Sequence, residues 1–420
     1  MKRILIAVLA GMLGVAFASG IDSSATDTFA DQNCLGWERD MRSAAGYDDL
    51  GRPAIDRLAG DERYGQLLDE WKADNCMRLN YVQVLGTHNS YHLQPRPAIL
   101  FLVSLFDPVE AMKLMYAHRP LDEQLDLFGV RQVELDVYAD PVGGQYVMPI
   151  GPLLVPPFQP DPFKLPLLAP GLKVLHVPDI DFETTCLTFV ACLQTLEDWS
   201  DDNPGHLPLM VQVEAKDTPI PVPGVPWTPI MPFNAAALNQ IDAEIRTVFS
   251  DDQLITPDDV RGDRATLEEA VLKDGWPTLN EARGRFLFTL DNEDAKRTTY
   301  IAGHPSLQGR VLFTNSAPGA PESAFVKVNE PLTNQAYISQ LVAAGYIVRT
   351  RADADTFEAR SNQTARREAA LASGAQFVST DYPEPNPAFS PYRVDIPGDD
   401  VARCNPVLSP PGCDSSEFEN

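Results

Sequence analysis

The chain has 420 residues, of which 44% are hydrophobic, and its formal net charge is -26. This length suits either two ordinary domains or one large α/β domain with insertions. The strongly negative charge repels nucleic acid and anionic lipid at long range, so we expect no nucleic-acid partner.

Residues 1–18 have the layout of a secretory signal peptide. Lys2 and Arg3 precede an apolar segment that ends in Ala16-Phe17-Ala18, a small-residue cleavage site. A retained membrane anchor is the alternative, but the apolar segment is short for a membrane span. We therefore expect cleavage after Ala18 and a secreted or periplasmic protein.

The cysteines indicate disulfide bonds, because exported chains with an even number of cysteines commonly pair them. The chain has 6 cysteines, which allow about 15 connectivities. Proximity in the sequence favours the pairs Cys186–Cys192 and Cys404–Cys413, which leaves Cys34–Cys76.

Short β-rich runs alternate with helix-like segments from residue 80 onward. In chain order the β-rich runs are YVQVLGT, VRQVELDV, LPLMVQVEA, RFLFTLD, RVLFTNS, AFVKVNE, YIVRTRAD and AQFVSTDY. The helix-like segments include PLDEQLDLFG, LTFVACLQTLEDWS, AAALNQIDAEIRTVF, NQAYISQLVAAG and TARREAALASG. This alternation predicts a parallel sheet, and eight strands predict a closed (β/α)8 TIM barrel over residues 80–385. An open doubly wound sheet is the alternative, but no glycine-rich phosphate loop follows the first strand.

Several segments lie outside this regular alternation. The run GLKVLHV at 171–177 is expected to form part of a hairpin inserted between the second and third barrel strands. Residues 19–79 are expected to form an N-terminal extension that packs on the barrel, and residues 386–420 a C-terminal tail with one disulfide. Two proline-rich apolar loops, 141–170 and 218–233, follow barrel strands, so both should lie on the C-terminal face, where TIM barrels place their active sites.

Charged and polar side chains are predicted at the C-terminal ends of five strands. They are His88 and Asn89, Glu134 and Asp136, Glu214 and Lys216, Arg349 and Arg351, and Asp381. Residues two apart on a strand point to the same face, which in a barrel is the interior. An amide and several carboxylates form an oxygen-rich set that Ca²⁺ or Mg²⁺ prefers, and the positive side chains suit a phosphate group.

The segments LGTHNSYH, HRPLDEQLDLFGVRQVELDVYAD, LHVPDID and MVQVEAKD resemble the calcium-dependent phosphatidylinositol-specific phospholipase C family, in particular its bacterial exported branch. The resemblance covers roughly residues 80 to 385. It implies a TIM barrel with Ca²⁺ as its cofactor. It also implies cleavage of phosphatidylinositol to diacylglycerol and inositol phosphate through a cyclic phosphodiester.

The resemblance implies roles for individual residues. His88 resembles the histidine that stabilises charge on phosphorus in the transition state, and His176, in LHVPD, resembles the general acid that protonates the leaving alkoxide. One of the two glutamates, Glu134 or Glu214, would accept the proton of the inositol 2-hydroxyl. The implied calcium ligands are Asn89, Glu134, Asp136 and Glu214, and the implied substrate-binding residues are Lys216, Arg349 and Arg351.

The other four histidines, His92, His118, His206 and His304, are expected to be structural. Of these, His92 follows the first strand closely enough to reach the site.

A glycerophosphodiester phosphodiesterase is the alternative enzyme, since it shares the barrel, the E-x-D strand and the EAK sequence. That family usually has His-Arg where this chain has His88-Asn89, which favours the phospholipase. A non-catalytic exported binding protein on the same fold should lack His88 or His176, and both are present. We expect a monomer that acts on a phospholipid or other phosphodiester and contacts the membrane surface transiently through its apolar loops, with Trp227 as the anchor.

Overall fold

The computed structural model describes residues 77–220, 224–398, 400–410 and 413–419. The predicted signal peptide, the predicted extension up to residue 76 and the predicted Cys34–Cys76 pair lie outside these residues. Within them, no helix combines the length and the apolar character that crossing a bilayer requires.

The described residues contain eleven strands, and most strand residues are buried. In chain order they are β1 (Val82–Thr87), β2 (Gln132–Tyr138), β3 (Lys173–Val174), β4 (Leu209–Ala215), β5 (Leu254–Ile255), β6 (Phe286–Leu290), β7 (Leu312–Thr314), β8 (Phe325–Lys327), β9 (Ile347–Arg351), β10 (Phe377–Thr380) and β11 (Ala402–Cys404).

Eight of these strands form a parallel ring, and they correspond to the eight predicted β-rich runs. The ring order is β1, β2, β4, β6, β7, β8, β9 and β10, and β10 pairs with β1. Between β7 and β8 the link is an isolated parallel bridge from Asn315 to Phe325. The predicted (β/α)8 barrel is therefore confirmed, with β7 and β8 joined by this isolated bridge.

Helices connect the strands. The α-helices of the described residues are α1 (Pro97–Phe106), α2 (Pro108–Lys113), α3 (Leu121–Phe128), α4 (Gly151–Leu154), α5 (Phe189–Asp202), α6 (Ala235–Val248), α7 (Pro257–Arg261), α8 (Leu267–Lys273), α9 (Leu279–Ala282), α10 (Ala295–Ile301), α11 (Pro331–Ala344), α12 (Phe357–Ser361) and α13 (Ala365–Ala372). Five of them, α3, α5, α6, α11 and α13, correspond to the predicted helical segments. Short 3₁₀ turns span Leu79–Tyr81, Leu165–Leu168, Asp251–Gln253, Pro305–Leu307 and Ser415–Glu417.

Local sequence signals set the ends of the main helices. The Thr188 side chain accepts a hydrogen bond from the backbone N–H of Ala191 and caps the start of α5. Gly129 and Gly345 follow the last residues of α3 and α11 with φ values of 61° and 110°, a region that glycine adopts without strain. These are the glycine stop signals visible in the sequence.

Three elements add detail that the alternation of runs does not give. β3 pairs antiparallel with β2, and the antiparallel bridges Lys173–Thr188 and Val177–Asp181 form the predicted hairpin in the insertion. β11 pairs antiparallel with β1, so part of the predicted C-terminal tail adds a strand beside the barrel. α1 was not predicted, because its sequence PAILFLVSLF is apolar on all sides and lacks a helical period.

Two disulfides confirm the predictions made from sequence proximity. Cys186 and Cys192 have Cα atoms 5.3 Å apart, and Cys404 and Cys413 have Cα atoms 6.1 Å apart. The first bond ties the segment before α5 to that helix, and the second ties β11 to the residues after it.

The two proline-rich loops share an anchor, Asp179, which lies between β3 and α5. Its Oδ1 accepts hydrogen bonds from Ile150 N at 2.9 Å and from Thr228 Oγ1 at 2.7 Å. Its Oδ2 accepts a third from Thr228 N at 2.7 Å. Since Ile150 belongs to the first loop and Thr228 to the second, one buried carboxylate joins both loops to the segment after β3.

Candidate active site

Strand register brings three carboxylates together at the C-terminal end of the barrel. Asp136 on β2 and Glu214 on β4 are direct partners in the parallel pairing of these strands. Glu134 lies two residues before Asp136 and therefore on the same face. One ligand oxygen from each of Glu134, Asp136 and Glu214 lies within 4.8 Å of the other two. Three of the four implied calcium ligands thus lie side by side.

Asn89, the fourth implied calcium ligand, lies two residues after Thr87, the last residue of β1. Its backbone φ of 46° lies in the left-handed region, which asparagine tolerates better than most residues. Its Nδ2 donates to Tyr116 Oη at 2.8 Å, which leaves Oδ1 as the free atom of the amide. Oδ1 of Asn89 and Oδ1 of Asp136 are buried, and neither has a hydrogen-bond partner among the described residues. Unpartnered buried oxygens are costly, so this all-oxygen set fits a hard divalent cation such as Ca²⁺.

The carboxylates destabilise one another electrostatically. The pKa of Glu134 is raised to about 8, first by burial and then by neighbouring carboxylates such as Asp291, against the opposing effect of Arg349. The pKa of Glu214 is raised to about 7, first by burial and then by Asp136. A cation bound among these groups would relieve the repulsion between them.

Two positive side chains are paired with the same carboxylates. Lys216 Nζ donates to Asp136 Oδ2 at 2.8 Å and lies 3.8 Å from Glu214 Oε2. Arg349 Nη2 donates to Glu134 Oε2 at 2.6 Å, and the Arg349 side chain is buried. Arg349 therefore fits a role in holding Glu134 better than the predicted role in binding substrate.

His88 is held by a carboxylate and faces the cluster. Its Nδ1 binds Asp381 Oδ1 at 2.8 Å, and because a carboxylate can only accept, this nitrogen carries a proton. Arg351 Nη2 donates to the other oxygen of Asp381 at 2.8 Å. Burial and the charge of Arg351 lower the pKa of His88 well below its ordinary value. The Nε2 of His88 lies 3.8 Å from Glu134 Oε1, beside the proposed cation ligands.

His176 follows β3 and is held in a similar way. Its Nδ1 binds Asp181 Oδ2 at 2.6 Å, and its backbone oxygen accepts from Tyr138 Oη at 3.0 Å. The Nε2 of His92 lies 2.9 Å from both oxygens of Asp181. His92, predicted to be structural but within reach of the site, thus contacts the site through Asp181.

The remaining histidines are hydrogen-bonded to polar groups outside the carboxylate cluster, in keeping with structural roles. His118 Nε2 binds the backbone oxygen of His88, His206 Nε2 binds Ser200 Oγ, and His304 Nδ1 binds the backbone oxygen of Gln308, each at 2.8 Å. Burial lowers the pKa of His118 to about 4.

Sequence reasoning missed several polar residues that support the site. Asp291, which follows β6, accepts from Gln212 Nε2 at 2.8 Å and from Lys327 Nζ at 2.7 Å. Gln212 also donates to Glu134 Oε2 at 3.0 Å. Asp291 and Lys327 lie in the runs RFLFTLD and AFVKVNE, so the strand-end rule that found Glu214 could also have found them.

Asp181 and Asp381, the partners of the two histidines, carried no assigned role in the sequence analysis. Asp381 stands at the end of the run AQFVSTDY, where the strand-end rule placed it without a function. Asp181 lies five residues after His176 in LHVPDID, and no strand or helix spacing connects the two.

Comparison with known proteins bears on this arrangement. Residues 77–406 match the sequence model of the family described as phosphoinositide phospholipase C, Ca²⁺-dependent. A comparison with curated proteins gives no match.

Two solved structures similar to this chain are bacterial. One is a calcium-dependent phosphoinositol-specific phospholipase C from the Gram-negative bacterium Pseudomonas sp., with 16% identity, coverage of 80% of this chain and 97% of that chain, and a TM-score of 0.48. Another is a Ca²⁺-dependent phosphatidylinositol-specific phospholipase C from Streptomyces antibioticus, with 19% identity, coverage of 73% and 95%, and a TM-score of 0.47. The family match itself spans every barrel strand and both histidine segments. The chain therefore belongs to the family of Ca²⁺-dependent phosphoinositide phospholipases C.

Proposed function

We propose that the enzyme cleaves phosphatidylinositol to diacylglycerol and inositol phosphate through a cyclic phosphodiester. The observation that carries this proposal is the pair of imidazoles, each bound at Nδ1 by a buried carboxylate, with the ring of His88 beside an oxygen-rich cluster. Such a set can move protons at a phosphodiester without a protein nucleophile. The nucleophile is then the 2-hydroxyl of the substrate's own inositol ring.

Asn89, Glu134, Asp136 and Glu214 would hold Ca²⁺, as their buried oxygens support. When bound, Ca²⁺ makes the inositol 2-hydroxyl more acidic and offsets negative charge on the phosphoryl group. Lys216, which is paired with Asp136 in this cluster, would contact a substrate hydroxyl or a phosphoryl oxygen.

Each proton transfer has a candidate side chain. Glu134 or Glu214 accepts the proton of the 2-hydroxyl as its oxygen bonds to phosphorus. His176 donates the proton at Nε2 to the glycerol oxygen as the bond between that oxygen and phosphorus breaks. Its Nδ1 remains bound to Asp181 throughout.

Negative charge on the phosphoryl oxygens is met by His88 and Arg351. Arg351 supplies a permanent positive charge next to the imidazole. His88 donates from Nε2 when it carries a second proton, and Asp381 stabilises that charged form.

Product analysis by ³¹P NMR tests this function. Phosphatidylinositol in mixed micelles should give a cyclic inositol phosphate first and the acyclic phosphate later, and a chelator should stop both. Turnover that a chelator leaves unchanged, or an acyclic product with no cyclic precursor, would contradict the proposal.

The proline-rich loops support a transient contact with the membrane surface. Phe158 and Leu165 in the first loop have exposed fractions of 63% and 69%, and Phe101 and Leu105 on α1 are each 65% exposed. The predicted anchor Trp227 is only partly exposed. We therefore define the apolar rim as Phe101, Leu105, Phe158 and Leu165, which would enter the lipid headgroup boundary.

Disulfides such as Cys186–Cys192 form and persist in oxidising compartments, which supports action outside the cytoplasm. Cell fractionation tests this point. The monomeric state stays a prediction, which light scattering tests.

A further inference from the structure

Two histidines share one buried carboxylate beside the proposed active site. The side chains of Asp181 and His92 have no exposed surface, whereas that of His176 is 18% exposed. Asp181 Oδ2 binds His176 Nδ1 at 2.6 Å, and both Asp181 oxygens lie 2.9 Å from His92 Nε2. Because an ionised carboxylate can only accept, both facing ring nitrogens carry protons.

The local backbone returns Asp181 to the ring of His176. Val177 and Asp181 exchange two backbone hydrogen bonds, each 2.9 Å long, which close a tight turn. Asp179, within this turn, has a φ of 74° and is fixed by its bonds to the two proline-rich loops. The position of Asp181 is therefore set by the backbone and by neighbouring loops, not by His176 alone.

His92 approaches the same carboxylate from the end of β1. Its backbone N–H donates to the backbone oxygen of Asn89 at 2.8 Å, and its ring stacks on Tyr116 with centroids 4.2 Å apart. The Nδ1 of His92 is buried and has no hydrogen-bond partner among the described residues. A bare lone pair fits that position better than an unpaired N–H, so His92 carries its single proton on Nε2. His92 therefore donates from Nε2 to Asp181 and helps to hold this carboxylate in place for His176.

We propose that His92 and Asp181 are positioning residues that hold the His176 ring with Nδ1–H donated to Asp181 and Nε2 turned toward the leaving group. This inference rests on the proposed function, which assigns His176 as the general acid. In that step the 2-hydroxyl oxygen bonds to phosphorus, its proton goes to a glutamate, and the bond from phosphorus to the glycerol oxygen breaks. The proton on Nε2 goes to the glycerol oxygen, and the ring keeps its proton on Nδ1.

The substitution Asp181→Asn tests the positioning role directly. His92 Nε2–H keeps its acceptor if the asparagine oxygen faces His92, and the amide NH₂ then faces Nδ1 of His176. That nitrogen must become an acceptor, so the proton of the neutral ring moves to Nε2 and the tautomer is inverted. His92→Phe keeps the stacked ring but removes the donor that orients Asp181. His92→Gln retains a donor at a similar reach and should restore much of the activity.

Leaving-group dependence separates this role from a structural one. With phosphatidylinositol, Asp181→Asn and His92→Phe should lower kcat by about 100-fold with little change in KM. With an inositol nitrophenyl phosphate, whose leaving group needs no proton, the same variants should lose less than about fivefold. The matched control is His206→Gln, a buried histidine bonded to Ser200 before β4, and it should affect both substrates equally. Equal losses on both substrates in the Asp181 and His92 variants would overturn the proposal.

A second measurement does not depend on turnover. The enzyme is labelled with ¹⁵N and studied by NMR with chelator present, at a pH at which the His176 ring is neutral. The proton of that ring should then be on Nδ1. His176→Gln assigns the signal, and Asp181→Asn should move the proton to Nε2. An Nε2–H tautomer of His176 in the unmodified enzyme, or an unchanged tautomer in Asp181→Asn, would overturn the proposal. A metal ion retained at His92, Asp181 and His176 after chelation would also overturn it. If the enzyme failed to cleave phosphatidylinositol, the proposed function would be wrong, and the NMR result would still decide whether the ring is held.

Discussion

Nη1 of Arg351 lies 3.4 Å from Nε2 of His88, while Nη2 of the same guanidinium donates to Asp381 at 2.8 Å. The guanidinium and the imidazole thus bind different oxygens of Asp381 and lie next to each other. A fixed positive charge beside the ring disfavours its protonated form, and together with burial it lowers the pKa of His88.

Removal of this charge should raise the pKa of His88. In Arg351→Gln the protonated ring no longer meets a neighbouring cation, so the ring should remain charged to a higher pH. The measurement is an NMR titration of the ring protons with chelator present, assigned with His88→Gln. Arg393→Gln, whose guanidinium pairs with Asp395 on the exposed surface, serves as the control. An unchanged or lower pKa in Arg351→Gln would contradict the prediction.

The carboxylate cluster should bind one Ca²⁺ per chain. Asp136→Asn removes a charge from the centre of the cluster and should weaken Ca²⁺ binding by about tenfold or more. Isothermal calorimetry measures this affinity in the absence of substrate. Asp198→Asn on the outer side of α5 changes the net charge equally and should leave the affinity almost unchanged. Equal affinities in Asp136→Asn and the unmodified enzyme would rule out the proposed ligand set.

The enzyme should prefer phosphatidylinositol to its bisphosphate form. Four basic side chains near the cluster each contact a carboxylate, in the pairs Lys216–Asp136, Lys327–Asp291, Arg349–Glu134 and Arg351–Asp381. Extra phosphates on the inositol ring would therefore find each of these four basic side chains already paired. The enzyme should cleave the bisphosphate at least about tenfold more slowly than phosphatidylinositol.

The pair of Lys327 and Glu293, 3.6 Å apart, allows a sharper version of this test. Glu293→Gln should narrow the preference by removing one of the two carboxylate charges beside Lys327, which keeps its pair with Asp291, whereas Glu368→Gln on α13 should not. Assays with both lipids at equal surface concentration decide the point. If the unmodified enzyme cleaved the bisphosphate faster than phosphatidylinositol, the prediction would be wrong.

The apolar rim should govern binding to neutral vesicles. Phe158→Asp and Leu165→Asp each place a charge where an apolar side chain would enter the interface, so each should lower the partition constant by about fivefold or more. Leu127→Asp near the end of α3 is the matched control, because Leu127 is 59% exposed but precedes β2 and so lies at the other end of the barrel. Co-sedimentation with phosphatidylcholine vesicles measures the effect. If all three variants bound alike, the rim would not contact lipid.

The ionised Asp181 carboxylate should stabilise the fold, and this stabilisation should be lost at strongly acidic pH. Burial alone would raise the pKa of Asp181, but His92 and His176 outweigh burial and lower it to about 2, from an ordinary value of 3.8. Because the folded pKa is the lower one, the stabilisation is complete above about pH 4 and is lost as the pH falls toward 2. This difference corresponds to about 2 kcal/mol of unfolding free energy.

Denaturant unfolding of the enzyme and of Asp181→Asn between pH 5 and pH 2 measures this contribution. The gap in stability between the two proteins should narrow as the pH falls through this range. For Asp395→Asn, on the exposed surface, the gap should stay small throughout. A gap that widened toward pH 2 would show that the sign is wrong.

The barrel and the clustering of the three carboxylates were predictable from the sequence because both follow from strand period. Glu134, Asp136 and Glu214 lie at the ends of runs whose alternation fixes which face each side chain occupies. Register pairing of parallel strands then places Asp136 directly beside Glu214. The signals for these residues are local, so a single sequence contains them.

Asp181, the carboxylate shared by His92 and His176, was not predictable by the same means. Asp181 reaches His176 through a tight turn whose geometry depends on Asp179 and on two distant loops. The burial of Arg349 depends on contacts with Glu134, 215 positions away in the sequence. Such contacts arise from tertiary packing, which hydrophobic periodicity does not encode.

The anchor formed by Asp179 has a consequence for protein engineering. A loop exchange that removes Ile150 or Thr228 would release one side of the turn that carries Asp181, although neither residue is among the proposed catalytic or cation-binding side chains. Chimeras made by swapping the proline-rich loops should therefore keep these two positions and their spacing. The exposed tips of the loops can then be varied while the contact between Asp181 and His176 is kept.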